Sequence, residues 1–188
     1  MLKAIVVSGP SGVGKTTLIN KILSDADLKD KLMFSVSFTT REKRKNEIEG
    51  KDYFFVSREK FENMIKNDEF LEWALVHGNF YGTPKSNIQK ATEDKKILLL
   101  DVDVQGAQSI KEKLGKESFL IFIKPPSIEE LKRRIIMRKD TKDAEKRLQR
   151  AIDEISKAHM FDYVIVNDNL EKAFEEIKRV IKEAISKN

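Results

Sequence analysis

A glycine-rich segment near the start of the chain has the residue types and the spacing needed to bind phosphate. Residues 9–16 fit the pattern G-x-x-x-x-G-K-[ST] at every fixed position, and we name this segment the phosphate loop. Its glycines let the backbone curl so that the N–H groups point at one phosphate, and a following helix adds the partial positive charge of its N-terminus. The segment therefore predicts a nucleoside triphosphate site made of Gly9, Pro10, Ser11, Gly12, Val13, Gly14, Lys15 and Thr16.

Phosphate and metal contacts are expected from the end of this loop and from an acid further along the chain. Lys15 can reach the β and γ phosphates, and the Thr16 hydroxyl can contact Mg²⁺. Asp101 follows the apolar residues 97–100, so it ends a predicted buried strand, and Asp103 points the same way if that strand continues. We predict that Thr16 and Asp101 hold the metal.

A second pattern suited to phosphate lies in residues 35–53. Arg41 and Arg44 stand three residues apart, directly after a predicted strand at 33–38, and Tyr53 follows a stretch with glycine and acids. Arginine binds phosphate through two parallel hydrogen bonds, and a tyrosine hydroxyl can complete such a site. Loops with two arginines are common, so the pattern alone leaves an ordinary charged loop open.

The elements that position these residues alternate between strands and helices. Apolar stretches predict buried strands at 3–8, 96–102, 119–123 and 163–166, with helices beginning near 15, 103, 127, 144 and 170. This alternation predicts an α/β fold with a parallel sheet covered by helices on both faces. Residues 35–83 break the alternation with short strands, which predicts an insert around a binding site. Pro84 is expected at the first position of the helix that follows.

Length, composition and charge exclude several classes. The 188 residues allow one domain, and the absence of cysteine excludes disulfides, thiol nucleophiles and cysteine-based zinc sites. A net charge of +5 suits a phosphate-bearing partner, but acids are interleaved with the basic residues, which argues against nucleic acid. The apolar runs are far shorter than the about 18 residues that cross a bilayer, and the first residues are too few for a secretory signal. We therefore expect no membrane partner and a cytoplasmic location.

The fold and the phosphate loop would allow a GTPase, a motor or a small-molecule kinase. Several further segments of the chain match one known family and so distinguish among these functions. The matching segments are 9–16, 37–56, Phe-Leu-Glu-Trp at 70–73, Tyr-Gly-Thr at 81–83 and Leu-Asp-Val-Asp-Val-Gln-Gly at 100–106, extended by 121–127, 146–148 and 164–168. In this order and approximate spacing they resemble the guanylate kinase family, and the resemblance covers essentially the whole chain.

The resemblance implies the fold and the reaction of that family. It implies a P-loop nucleoside-monophosphate-kinase-like core at about 1–34, 84–126 and 159–188, a small α+β GMP-binding insert at about 35–83 and a helical lid at about 127–158. Guanylate kinases move the γ-phosphoryl group of ATP onto GMP with Mg²⁺, and dGMP is a further expected acceptor. The sequence leaves both a monomer and a homo-oligomer open.

The resemblance also assigns the GMP contacts residue by residue. The GMP phosphate would be held by Arg41, Arg44, Tyr53 and Tyr81, and the guanine would be faced by Ser37, Glu72, Thr83 and Asp103. The chemistry agrees for Glu72, because guanine presents N1–H and an amino group side by side and a carboxylate accepts both hydrogen bonds. Adenine presents an acceptor at N1 and would leave this carboxylate unpaired, a loss of roughly a few kcal/mol.

Basic residues late in the chain would serve the transfer itself. The resemblance matches Arg134 and Arg147 to arginines that reach the phosphates when a lid closes, Arg138 to one that lies against adenine, and Asn167 to an adenine contact. Catalysis would then rest on Lys15, Arg41, Arg134 and Arg147. Without the resemblance, the residues alone favour a solvated helix face for these arginines over a role in catalysis.

The chain departs from the family's common pattern at Lys43, where proline is frequent, and at Asn46, where glycine is frequent. Asparagine tolerates a left-handed backbone, so we expect the loop shape to survive. Two alternative functions stay open at this point. One is a non-catalytic guanylate-kinase-like peptide-binding module, which commonly lacks an intact ATP loop, and the other is a kinase for another phosphorylated small molecule.

Overall fold

Two sheets and the helices around them make up the fold. The structure, a computed structural model, describes residues 1–76, 78–137 and 144–187. Its strands are β1 Ala4–Ser8, β2 Leu32–Phe34, β3 Ser37–Thr39, β4 Tyr53–Phe55, β5 Phe70–Val76, β6 Asn79–Pro84, β7 Ile97–Asp101, β8 Ser118–Lys124 and β9 Tyr163–Val166. Its helices are α1 Lys15–Ser24, α2 Arg58–Lys66, α3 Lys85–Glu93, α4 Val104–Leu114, α5 Ile128–Met137, α6 Ala144–Ser156 and α7 Leu170–Ser186.

The larger sheet, which we call the core sheet, has the strand order β2-β7-β1-β8-β9 with all neighbouring strands parallel. Helices α1 and α7 cover one face, where Ile22 and Ile181 are completely buried, and α3 and α4 cover the other face through residues such as Ile110. The predicted α/β fold with a doubly covered parallel sheet is therefore confirmed. The carboxyl ends of β1 and β7 lie side by side, since Val7 pairs with Asp101.

The smaller sheet, which we call the insert sheet, has the order β4-β3-β6-β5 and mixes parallel and antiparallel pairs. Its core forms where α2 packs the Phe61 ring between the rings of Phe70 and Phe80. The single strand predicted at 33–38 is wrong, because β2 belongs to the core sheet and β3 to the insert sheet. The chain changes sheets at residues 35–36, where the Asn87 side chain of α3 donates to Ser35 Oγ and to the Val36 carbonyl at 2.9 and 3.1 Å.

Helix caps correct two further details of the sequence analysis. The strand β7 ends at Asp101, and Asp103 instead caps α4, because its Oδ1 accepts a hydrogen bond from Gly106 N at 2.8 Å. Pro84 is the N-cap of α3 rather than its first helical residue. Ser57 and Asn169 cap α2 and α7, since each side chain accepts hydrogen bonds from the first turn of its helix.

Helices α5 and α6 form a pair that packs through Leu131, Ile135 and Ala151. The predicted adenine contact Arg138 lies outside the described residues. Within residues 1–76, 78–137 and 144–187, no helix combines the length and the apolar character needed to cross a membrane.

Candidate active site

The phosphate loop joins β1 to α1 in a shape that requires glycine at two points. Gly9 has φ +145°, and a Cβ there would lie 2.3 Å from the Ile123 carbonyl oxygen of β8. Gly14 has φ +100°, and a Cβ there would lie 2.6 Å from Asn167 Nδ2. Both positions exclude an ordinary L side chain, because the backbone is left-handed and the space is occupied. The loop therefore has a fixed shape before any ligand binds.

The donors of this loop are arranged for an anion. Within the described residues, no side chain caps the N-terminus of α1, so the backbone N–H groups of its first turn remain available to a ligand. Lys15 folds back over the loop and donates from Nζ to the Gly9 carbonyl. Thr16 is exposed at the start of α1. The residues of the phosphate loop are thus contiguous, and their backbone curls at the N-terminus of α1.

Asn167 ties the phosphate loop to the far edge of the core sheet. Its buried Nδ2 donates to the Val13 carbonyl at 2.7 Å, and the residue is only 5% exposed. Its own carbonyl accepts two long hydrogen bonds, of 3.4 and 3.5 Å, from the Arg134 guanidinium of α5. Arg134 also donates to Glu130 Oε1 at 2.7 Å. The side chain predicted to contact adenine is therefore engaged with the loop backbone.

Asp101 stands at the end of β7 beside the phosphate loop. Burial raises the pKa of its carboxyl group, and the positive charge of Lys15 opposes that rise. Its carboxylate has no hydrogen-bond partner among the residues that the structure describes. No cluster of three or more acidic, histidine or cysteine ligands occurs in the described ranges. One hydroxyl and one carboxylate fit Mg²⁺, which takes few protein ligands when substrate phosphates supply the rest.

We use the name phosphate cradle for the four insert side chains that are predicted to bind phosphate, which are Arg41, Arg44, Tyr53 and Tyr81. Arg41 Nε donates to the Tyr81 hydroxyl at 3.3 Å, and the Arg41 guanidinium lies 5.5 Å from the centre of the Tyr53 ring. Burial raises the pKa of Tyr53 to about 12, with a further contribution from the negative charge of Asp101. Tyr53 therefore stays a hydrogen-bond donor at neutral pH, within electrostatic reach of the core strand that carries Asp101.

Arg44 differs from Arg41 in its surroundings. Its side chain is exposed, and the described residues offer its guanidinium no hydrogen-bond acceptor. Arg41 is held at its end by Glu47, through contacts of 3.0 Å from Nη1 and 2.7 Å from Nη2. The hydrogen bonds that Arg41 donates to Glu47 raise the pKa of Arg41 and lower the pKa of Glu47. One arginine of the cradle is thus fixed and the other is open to solvent.

Glu72 lies on β5 of the insert sheet and faces α4. It is 4% exposed, and its Oε1 accepts hydrogen bonds from Thr83 Oγ1 at 2.6 Å and from Thr83 N at 3.1 Å. Burial raises its pKa to about 7, and Asp103 contributes to that rise. Ser37 Oγ lies 3.5 Å from Thr83 Oγ1. The structure therefore brings Ser37, Glu72, Thr83 and Asp103 to one side of the insert.

The approach of Glu72 to α4 depends on a glycine that the sequence analysis did not single out. A Cβ at Gly106 would lie 2.7 Å from Glu72 Oε2 and 3.3 Å from Asp103 Oδ1. A larger residue would push both carboxylates away from α4. Oε2 of Glu72 makes no hydrogen bond within the described part of the chain, so this oxygen remains for a ligand.

The α5–α6 pair brings further charges to the phosphate loop. Arg147 lies on α6, on the same helical face as Ala151 and Glu154. Burial raises the pKa of Glu154, and both Lys15 and Asp103 act on it electrostatically. The later half of α6 therefore lies within electrostatic reach of Lys15. Neither Glu154 nor Glu47 belongs to a motif that the sequence reveals. Glu154 comes near Lys15 only through tertiary structure, and Glu47 meets Arg41 and the backbone of Arg44 only because of the way their shared loop folds.

The fold and this site together define a class. A phosphate loop follows the first strand of a parallel sheet, and the insert carries a second set of side chains that are predicted to bind phosphate. Two such sets of residues on one P-loop core are typical of P-loop nucleotide kinases.

Comparison with known proteins gives the family. A family model described as guanylate kinase matches residues 1–184. Curated guanylate kinases from Clostridium tetani and Thermotoga maritima are 46% and 44% identical, and each alignment covers 94% of this chain and 84% of the relative. The crystal structure of guanylate kinase from Anaplasma phagocytophilum is 38% identical, has a TM-score of 0.78 and is matched over 97% of this chain and 85% of that one. The chain belongs to the guanylate kinase family.

A more distant likeness concerns the fold alone. The SH3-kinase fragment of tight junction protein 3 has a TM-score of 0.51 at 13% identity, with 96% of this chain and 56% of that chain covered. The shared fold carries no statement about activity, because function depends on the residues of the site.

Proposed function

We propose that the protein transfers the γ-phosphoryl group of ATP to GMP, giving ADP and GDP. The observation that carries this proposal is the setting of Glu72. Its carboxylate is buried, Thr83 occupies one oxygen, and the other oxygen is left for the adjacent N–H groups of guanine. The phosphate cradle on the same insert sheet supplies the partner for the phosphate of that nucleotide. A cytoplasmic location and action on small molecules, without nucleic acid or membrane, belong to the same proposal.

The donor nucleotide is assigned to the phosphate loop. Lys15 and the N-terminus of α1 face the β and γ phosphates, and Arg138 and Asn167 are assigned to the adenosine side. Thr16 and Asp101 would hold Mg²⁺, which when bound neutralises charge on the phosphates. The side chains of Arg41, Arg44, Tyr53 and Tyr81 are assigned to the phosphate of GMP, and those of Ser37, Glu72, Thr83 and Asp103 to its base.

Catalysis in this proposal requires no general base. The accepting phosphate of GMP is already an anionic nucleophile, so the protein needs to align it with the γ-phosphoryl group and to neutralise charge. Lys15 in the phosphate loop and Arg41 in the insert are already held by contacts within the protein, on the two sides of the candidate active site. Arg134 and Arg147 belong to the α5–α6 pair, which we propose acts as a lid, and closure would exclude water that would otherwise hydrolyse ATP.

The alternative of a non-catalytic peptide-binding module is not favoured. Lys15, Thr16 and Asp101 are all present, and the glycines at 9 and 14 hold the loop in the shape that phosphate binding needs. Asp101 lies beside that loop without a hydrogen-bond partner among the described residues, so its carboxylate is left for a metal.

The test is an assay of ADP release with ATP and each of GMP, dGMP, AMP, CMP and UMP in parallel. We expect turnover with GMP and dGMP, and at least a hundredfold lower efficiency with AMP, CMP and UMP, because a site built around guanine N–H groups leaves its carboxylate unpaired with the other bases. Turnover with none of the five would contradict a kinase function. Equal turnover with AMP would contradict the guanine assignment.

A further inference from the structure

Arg41 has little hydrogen-bonding capacity left for a ligand. A guanidinium has five N–H groups, and four of those on Arg41 are already used. Nε donates to the Tyr81 hydroxyl, and Nη1 donates both to the Glu42 carbonyl and to Glu47 Oε2. Nη2 donates one hydrogen to Glu47 Oε1. The single remaining N–H is on Nη2, on the same edge of the guanidinium as Nε–H.

Glu47 is the centre of this arrangement. Its carboxylate accepts both end N–H groups of Arg41, and Oε2 also accepts the backbone N–H of Arg44 at 2.8 Å. The side chains of Arg41 and Glu47 are 15% and 17% exposed, so solvent screens this pair less than an exposed pair. One carboxylate therefore sets both the orientation of Arg41 and the backbone position from which Arg44 extends.

The rest of the surroundings also fix Arg41 in place. Its guanidinium lies 5.5 Å from the centre of the Tyr53 ring and 5.7 Å from that of Phe55. Its backbone N–H donates to the buried hydroxyl of Thr39 at 3.2 Å. The guanidinium is therefore oriented before a substrate arrives, and the edge that it turns toward Tyr81 is the edge with the unused N–H.

We infer that Glu47 is a positioning residue for GMP, because it holds the end of Arg41 so that the Nε and Nη2 edge faces the nucleotide phosphate beside Tyr81. This inference rests on the proposed function. Since the Tyr81 hydroxyl accepts from Arg41, its own proton is free to be donated to a phosphate oxygen. Glu47 acts through Arg41 and Arg44 and itself has no contact with the substrate.

A rival role for Glu47 predicts the opposite sign. If Glu47 competed with the GMP phosphate for Arg41, its removal would strengthen GMP binding, because a negative charge would leave the cradle. Displacement would require breaking three hydrogen bonds of the Glu47 carboxylate, one of them to the backbone of Arg44. The geometry therefore favours positioning, and the sign of the change in KM separates the two roles.

The experiment measures kcat and the KM values for GMP and ATP in the full-length protein. The variants are Glu47→Ala, Glu47→Gln, Arg41→Ala and the double variant Arg41→Ala/Glu47→Ala. Glu62→Ala is the matched control, since Glu62 pairs with Arg58 on the exposed side of the insert at 2.9 Å and its loss removes the same charge. Guanosine, which lacks the phosphate, is tested as a competitive inhibitor of each variant, and thermal unfolding shows whether each variant is folded.

We expect Glu47→Ala to raise the KM for GMP about tenfold or more, with the KM for ATP and the guanosine inhibition constant within about twofold of wild type. Glu47→Gln, which keeps one acceptor oxygen, should recover part of the loss. In the Arg41→Ala background, Glu47→Ala should raise the KM for GMP by a smaller factor than it does in the wild-type background, because the part of its effect that passes through Arg41 is already lost.

Three results would overturn the inference alone while wild-type activity with GMP stands. The first is a fall in the KM for GMP in Glu47→Ala, and the second is fully additive losses in the double variant. The third is a loss of guanosine binding in Glu47→Ala as large as its loss of GMP binding, which would indicate collapse of the whole insert. If Glu47→Ala does not fold, the same comparisons apply to Glu47→Gln. An inactive wild-type protein would remove the proposed function, and with it this inference.

Discussion

The two sides of the candidate active site achieve preorganisation by different means. At the phosphate loop the groups predicted to face phosphate are mainly backbone N–H groups, and glycines at 9 and 14 together with Asn167 fix the shape. In the insert the corresponding groups are side chains from several strands and from the loop after β3, and carboxylates or hydroxyls hold them, as Glu47 holds Arg41 and Thr83 holds Glu72. The first side depends on the shape of the backbone, and the second depends on hydrogen bonds between side chains.

This difference has a consequence for mutations. A lesion in the phosphate loop should stop turnover with every acceptor, because the transferred group itself loses its contacts. A substitution in the insert should selectively weaken GMP binding. The size of the loss should depend on the residue, because each side chain contributes one or two hydrogen bonds.

The largest effect is expected from Lys15→Ala. This change removes a phosphate counter-charge whose hydrogen bond in the structure is to the Gly9 carbonyl, so kcat should fall a hundred- to a thousandfold while the fold persists. Steady-state kinetics and thermal unfolding provide the measurement. Lys21→Ala, on the same helix but paired with Glu171, is the control and should keep nearly full activity. If Lys15→Ala keeps more than about a tenth of wild-type turnover, the loop is not the catalytic phosphate site.

Arg44→Ala should produce a smaller and more selective loss. Its guanidinium is the exposed cation of the cradle, so the KM for GMP should rise about ten- to a hundredfold while the KM for ATP changes little. Arg58→Ala, on the outer helix of the insert, is the matched control. Equal losses for both nucleotides would show that Arg44 does not serve the acceptor.

Acidic pH should selectively lower the catalytic efficiency with GMP. Because burial raises the pKa of Glu72 to about 7, its ionised form, which the guanine N–H groups require, is lost as the pH falls through 7. The efficiency with GMP should therefore drop about tenfold between pH 8 and pH 6. The folded pKa is above the ordinary 4.5, so this group adds stability as the pH falls toward 4.5, and acid unfolding would not explain the loss. A flat pH profile for GMP would contradict the assignment.

Asn167→Ala should give the smallest effect of this series. The change leaves the buried Val13 carbonyl without its partner, so the KM for ATP should rise about three- to tenfold while the KM for GMP stays near wild type. Asn169→Ala is the control, because it removes the cap of α7 and should lower thermal stability without changing the KM for ATP. If both variants behave alike, Asn167 has only a general structural role.

The contrast between the two regions also explains what the sequence could predict. The phosphate loop is contiguous, so eight adjacent residues indicate both its geometry and its ligand. The alternation of buried strands and helices was sufficient for the core sheet. At residues 33–38, however, apolar character continues across a change of sheet, and nothing local marks the break that the Asn87 side chain stabilises.

The insert was harder to predict because its partners are distant or lack a motif. Asp103 would point the same way as Asp101 if β7 continued, but the strand ends at Asp101 and the Asp103 side chain caps α4 instead. The role of Gly106 is visible only when β5 brings Glu72 against α4. Glu47 lies in the loop that the sequence analysis singled out, yet its pairing with Arg41 depends on how that loop closes. The residues assigned to GMP by the family resemblance remain predictions.

Selection of guanine by Glu72 is tested by the ratio of the GMP and AMP efficiencies in wild type and in Glu72→Gln. The amide keeps the size of the side chain but turns one acceptor into a donor, which would face a guanine N–H. The efficiency with GMP should fall about ten- to a hundredfold, because a buried donor left unsatisfied costs about 1–3 kcal/mol. AMP presents N1 as an acceptor and should lose nothing. An unchanged ratio of the GMP and AMP efficiencies would show that Glu72 does not select guanine.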